Sequence, residues 1–115
     1  MNISREELTR TLRKVFPFDQ LAGDQLNLLL EKAELVYFPE DKMIYVQGSL
    51  AESFYIVLEG KVEISQHYRR AVRNKNLISP YFCFGEDLFL NMPKRQSSAR
   101  AVGDVVLIKF SLPVF

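Results

Sequence analysis

Ser53-Phe54-Tyr55-Ile56-Val57-Leu58-Glu59-Gly60-Lys61-Val62-Glu63-Ile64-Ser65-Gln66 is the stretch whose reading decides the fold. Its period is two rather than helical, the spacing at which successive side chains point to opposite faces of a strand. Ser53 to Leu58 ends at Gly60, and Lys61 to Gln66 runs into a polar stretch. Glu59-Gly60 between the two runs is a tight-turn signal, because glycine reaches positive φ without strain. The expectation is a central hairpin.

The same period extends outward. Upstream, Leu35-Val36-Tyr37-Phe38 ends at Pro39, and Met43-Ile44-Tyr45-Val46 ends at Gly48. Downstream come Leu77-Ile78, Phe82 to Phe84, Ser97 to Val102, and Val105 to Phe110. Short runs punctuated by glycine or proline at such intervals indicate an all-β sandwich, roll or barrel. Before Glu34 the period is helical. Ser4 and Glu7 have capping-box spacing, and Ile3, Leu8, Leu12 and Val15 recur along one face until Pro17 closes the run. A second helix fits Asp24 to Lys32, with Leu26, Leu29, Leu30 and Ala33 together.

Composition narrows the function classes. The 115 residues suit one domain, 1–115, with a helical part over 1–33 and a β part over 34–110. A net charge of +1 supplies no global field for nucleic acid or a lipid surface, so any bound anion needs a local site. Cys83 is the only cysteine, which excludes an internal disulfide and suits a small core residue. His67 is the only histidine, which argues against a metal-dependent small-barrel enzyme such as a cupin. The chain opens without a charged-then-apolar signal, and no apolar run approaches the ~20 residues that span a bilayer, so a cytoplasmic location is expected. No helix-turn-helix pattern follows the β part, and direct nucleic-acid binding is not expected. His67 to Asn76 carries Arg69, Arg70, Arg73 and Lys75, and reads as a solvated connection between strands rather than a phosphate or membrane patch.

The segment that carries chemistry is Phe84-Gly85-Glu86-Asp87-Leu88-Phe89-Leu90-Asn91-Met92-Pro93-Lys94-Arg95-Gln96-Ser97-Ser98-Ala99-Arg100-Ala101. It reads as strand end, glycine turn, one short helical turn, a loop, then a basic residue entering a strand. Free N–H groups at a helix start can cradle a phosphate, and Gly85 lets backbone come close. Arg95 can grip two phosphate oxygens with its planar fork. Glu86, when ionised, can only accept, which suits a sugar hydroxyl.

These residues resemble the cyclic nucleotide-binding domain family, shared by bacterial catabolite activators, kinase regulatory subunits and gated channels. Phe84-Gly85-Glu86 and Arg95, nine residues after Glu86, fall on its phosphate-binding cassette, and Arg100-Ala101 fits the strand after it. Asp41 to Gly48 and Ser53 to Ile64 are similar to the family's earlier turn, strand and central hairpin. The resemblance covers about residues 18–115 and implies a mainly β fold: a double-stranded antiparallel, jelly-roll-like β-roll of about eight strands, with N-terminal helices and a short cassette helix. It further implies a non-enzymatic regulatory module that binds cAMP or cGMP and needs no cofactor. The implied ligand set is Gly85, Glu86, Asp87, Leu88, Arg95, Gln96 and Ser97. Arg95 would take the exocyclic phosphate oxygens, Glu86 the ribose 2′-hydroxyl, and main-chain N–H groups around Leu88 and Gln96 would complete the cradle.

The cassette also departs from the family pattern. Asp87 and Leu88 stand where an apolar and a small residue are usual. A carboxylate ~6 Å from a phosphate, at an effective dielectric near 20, costs about 3 kcal/mol. Asp87 is therefore read as facing outward, at a helix N-terminus that favours it by ~0.3–1 kcal/mol. Gln96 matches neither the usual cAMP nor the usual cGMP residue, so base preference stays open. The alternative is a degenerate domain that keeps the roll as a protein-interaction module without binding nucleotide. The family's C-terminal lid helices have no counterpart before Phe115, so the lid and the effector are expected beyond this chain. The apolar end, Leu112, Val114 and Phe115, calls for cover, which a homodimer would supply. Arg95→Ala is expected to abolish most of the stabilisation by nucleotide and leave the ligand-free melting temperature near its original value.

Overall fold

Two long antiparallel strands, β3 (Ser53–Tyr68) and β6 (Ser98–Ser111), form the spine of the molecule, paired from Ser53↔Ser111 to Ser65↔Ser98. The structure is a computed structural model that describes residues 4–15, 20, 22–85 and 94–111. Around the spine lie α1 (Arg5–Leu12), α2 (Gly23–Glu31), β1 (Ala33–Phe38), β2 (Met43–Tyr45), β4 (Ala71–Ile78) and β5 (Cys83–Phe84). β1 lines the second half of β6, from Ala33↔Phe110 to Phe38↔Val105, and β2 meets its first half at Tyr45↔Ala99. On β3, β5 takes the first half at Tyr55↔Phe84, and β4 takes the second from Val62↔Ile78 to Tyr68↔Ala71. The result is the mainly β antiparallel roll expected from the period-two runs.

The centre of that expectation needs correction. Glu59-Gly60 is not a turn: β3 continues through it, and the register against β6 shifts on either side of Glu59. Gly60 sits at φ +82°, and a Cβ there would run into the carbonyl oxygen of Asp104. A glycine at positive φ marks a bulge as readily as a turn, and a bulge bends the strand. The pairing partner decides between the two, and here it lies far along the chain in β6. The runs Ser97 to Val102 and Val105 to Phe110 are likewise the two halves of β6. Among the described residues there are thus six strands rather than about eight, because each long strand serves both halves of the roll.

Alternation along the spine builds two cores. Phe54 and Ile56 of β3, with Ile108 and Phe110 of β6, face the helices and pack with Leu8, Leu12, Val15, Leu26 and Leu30. The alternate residues Tyr55, Val57, Val62, Ala99, Ala101, Val105 and Leu107 join Phe84 inside the roll. Each fully buried aliphatic or phenyl side chain contributes roughly 1.5–3 kcal/mol. The helix starts follow the sequence. The Ser4 hydroxyl accepts from the Glu7 N–H at 3.1 Å, and the Gln25 side chain accepts from the Ala22 N–H at 3.1 Å. Half-buried Cys83 packs against the helix-side core.

The second correction concerns His67 to Asn76. It is the distal part of a β-hairpin rather than an irregular connection: β3 runs to Tyr68, Arg69 and Arg70 make the turn, and β4 begins at Ala71. Charged residues hid the strand because β4 is an edge strand, where Lys and Arg suppress unwanted pairing instead of reporting burial. Among the described residues, no helix is long and apolar enough to cross a membrane. Pro17, the cassette helix and the end from Leu112 to Phe115 lie outside the described residues.

Candidate functional site

The chain enters β6 along the loop that follows β2. Leu50 and Lys94 form an isolated bridge, the Gly48 N–H donates to the Arg95 carbonyl at 2.9 Å, and the Arg95 N–H donates to the Ser49 carbonyl at 2.7 Å. These bonds hold the Arg95 backbone in place and send its side chain inward. The residue is only 3% exposed. Nη1 donates to the Gly85 carbonyl at 3.0 Å, and Nη2 donates to the Ser53 carbonyl. The guanidinium carbon lies 4.1 Å from the centroid of the Tyr45 ring, within cation–π range.

Gly85 is required at this point on two counts. It follows β5 at φ +85°, and a Cβ would come within 3.0 Å of Arg95 Nη1 and 3.4 Å of the Ser53 carbonyl oxygen. A side chain would be strained at this φ and would require the guanidinium to give by a few tenths of an ångström. The first and last parts of the sequence-predicted cassette, Gly85 and Arg95, are therefore clipped together. With its second bond, to Ser53, Arg95 also joins β5 and the entry to β6 to the start of β3.

Gln96 and Ser97 lie apart from this clip. With Ile64, Gln66, Asn74, Lys75 and Asn76 they line a pocket of about 310 Å³ between the β3–β4 hairpin and the start of β6. That volume is at the lower end of small-molecule sites, which begin at roughly 300 Å³. Gln96 donates from Nε2 to the Lys94 carbonyl at 3.0 Å, and Asn74 donates from Nδ2 to Gln66 Oε1 at 3.1 Å. The Gln47 carboxamide brackets His67, accepting from its N–H at 2.9 Å and donating to its carbonyl at 3.1 Å. Buried Ser98 accepts from the Gln47 N–H at 2.9 Å. Loop, hairpin and β6 are thereby held in one frame. Glu86, Asp87 and Leu88 lie outside the described residues.

Arg100 is an ion-pair residue, bonded to Asp41 and 3.4 Å from Glu63 Oε1 across the strands. At its partial exposure such pairs contribute about 0–1 kcal/mol. Sequence reasoning missed Tyr45, Ser53 and the polar row Gln66, Asn74 and Asn76. Tyr45 showed only as one residue of an alternating run. Ser53 acts through its main chain, which leaves no side-chain signal. The hairpin residues were hidden with the edge strand itself.

Fold and site together define a β-roll of the ligand-binding kind, with a glycine turn clipped to a buried arginine and a polar pocket beside the next two residues. The model of the cyclic nucleotide-binding domain matches residues 35–115. The chain is 34% identical, over 92 residues, to the cyclic AMP receptor protein of Thermus thermophilus. That match spans 79% of this chain and 43% of the relative. Among solved structures, the sensor domain of the transcriptional regulator DNR from Pseudomonas aeruginosa superposes with a TM-score of 0.85 at 25% identity, over 93% of this chain and 73% of that one. The regulatory domain of Toxoplasma gondii PKA with cAMP gives 0.84 at 24% identity, over 93% and 41% respectively, and shows the fold alone. The chain belongs to the cyclic nucleotide-binding domain family.

Proposed function

We propose that this chain is a regulatory module that senses a cyclic nucleotide, cAMP or cGMP, and passes occupancy to an effector outside it. The observation that carries the reading is the clip itself. In a chain of this family, a buried guanidinium is held against the glycine turn, and the two residues that follow it in sequence, Gln96 and Ser97, line a separate polar pocket. Arg95 supplies the charge for the cyclic phosphate. A guanidinium has five N–H donors, so bonds to Gly85 and Ser53 do not by themselves exhaust it. Glu86 accepts the ribose 2′-hydroxyl, and the main-chain N–H groups around Leu88 and Gln96 complete the phosphate cradle. The module needs no catalytic residue and no cofactor.

The core gives the signal a path. The Ser53 carbonyl holds Arg95, and its neighbour Phe54 stacks on Phe110 at 4.7 Å in the core that seats α1 and α2. A phosphate that repositions Arg95 pulls on the strand under the helices, which suits a population shift in their position. The Thermus relative is more than twice as long as the matched part, which leaves room for an effector in proteins of this kind.

Isothermal titration with cAMP and cGMP tests the proposal, with melting in parallel. A bound nucleotide at ~100 times its Kd raises stability by about 2.7 kcal/mol. The same burial of Arg95 also suits a roll that keeps its arginine for architecture alone and serves as a protein-interaction module. Absence of heat and of any melting shift with both nucleotides at millimolar concentration would refute the sensor reading and leave the second.

A further inference from the structure

We infer that Tyr45 is a positioning residue for the site: its ring seats the Arg95 guanidinium and so sets the affinity for the phosphate. The inference rests on the sensor reading above and assigns a role to a residue outside the cassette. Three observations carry it. The guanidinium carbon is 4.1 Å from the Tyr45 centroid, so the cation lies on the ring rather than beside it. Tyr45 is itself fixed: it pairs with Ala99 of β6, and its ring lies 6.2 Å from Tyr55 and 6.1 Å from Phe84. Tyr55 and Phe84 pair across β3 and β5 and stack at 5.1 Å, so the seat is an aromatic trio anchored on three strands.

The geometry explains why an aromatic ring is needed. The Gly85 and Ser53 carbonyls accept from the Nη atoms, and the Tyr45 ring meets the guanidinium from a different side, 4.1 Å from its carbon. The ring thereby adds a constraint on the fork that the two carbonyls do not supply. It also stabilises the buried cation, which a branched aliphatic side chain of similar bulk would not do. A phosphate then meets a donor set that is already oriented, and preorganisation of this kind strengthens binding without a new contact to the ligand.

The test compares Tyr45→Phe and Tyr45→Leu in the wild-type and Arg95→Lys backgrounds. In the ligand-free wild-type chain, ring current shifts the Arg95 Nε–H proton resonance upfield. Tyr45→Phe keeps that shift, and Tyr45→Leu returns the resonance toward its solvent position. Titration with cAMP and cGMP shows Tyr45→Phe within about threefold of wild type. Tyr45→Leu binds about tenfold more weakly, a loss of about 1.4 kcal/mol. In the Arg95→Lys background, where the planar fork is gone, the Leu substitution costs under about threefold more. Equal losses in both backgrounds, or an Arg95 resonance indifferent to Tyr45→Leu, overturns the inference. If neither nucleotide binds the wild-type chain, the sensor reading fails by itself, and the ligand-free Arg95 resonance still decides whether Tyr45 sets the guanidinium.

Discussion

Replacing Arg95 by alanine is expected to destabilise the ligand-free chain by about 3 kcal/mol, contrary to what the cassette sequence alone implies. Hydrogen bonds from a charged donor contribute about 1.5–3 kcal/mol each. Among the described residues, those from Arg95 to Gly85 and Ser53 lie at a site only 3% exposed, so water cannot easily replace the lost donor. The bonds account for about 3–6 kcal/mol. The ring contact with Tyr45 adds about 1 kcal/mol. Against this stands relief from burying a cation, several kcal/mol in such an environment, which brings the net to about 3. For a chain of this size, each kcal/mol moves Tm by about 4 °C, so Arg95→Ala should melt about 12 °C lower. Arg95→Lys, which keeps the charge and one acceptor, should lose about half as much. Urea unfolding followed by far-UV circular dichroism measures both, with Tm from a thermal scan. An alanine variant within 0.5 kcal/mol of wild type (roughly the spread of neutral surface changes) would show that the two carbonyls find other donors, and the clip would lose its structural meaning.

Gly60→Ala should cost about 3 kcal/mol or leave the chain unfolded, since a Cβ at φ +82° is strained and meets the Asp104 carbonyl; circular dichroism with urea unfolding checks it, and an unchanged midpoint would refute the bulge. The hairpin turn predicts a change in the opposite direction. Arg69 and Arg70 are non-glycine residues at φ 51° and 69°, so Arg69→Asn with Arg70→Gly should raise stability by about 1 kcal/mol; a lower Tm would refute that turn geometry.

Much of this protein was legible in the one-dimensional pattern. Period-two runs gave the roll, because alternation is a local property that each strand carries whatever its partners. The helix starts were legible for the same reason: Ser4 and Glu7 interact over three residues. Gly85 and Arg95 could be placed in one cassette from their spacing and family resemblance, though their bond to each other could not be read there. What the sequence alone could not decide is whatever depends on a distant partner. Gly60 has one sequence and two readings, turn or bulge, and only the approach of Asp104 from β6 makes it a bulge. The polar and charged residues of the edge strand, Arg73 to Asn76, conceal its alternation, so the β3–β4 hairpin and the pocket it walls emerge only when β3 is seen to pair with it. The burial of Arg95, its Ser53 acceptor and its Tyr45 seat join residues up to 50 positions apart. Main-chain acceptors and ring faces carry no sequence code for their partners, so tertiary packing alone could bring them together.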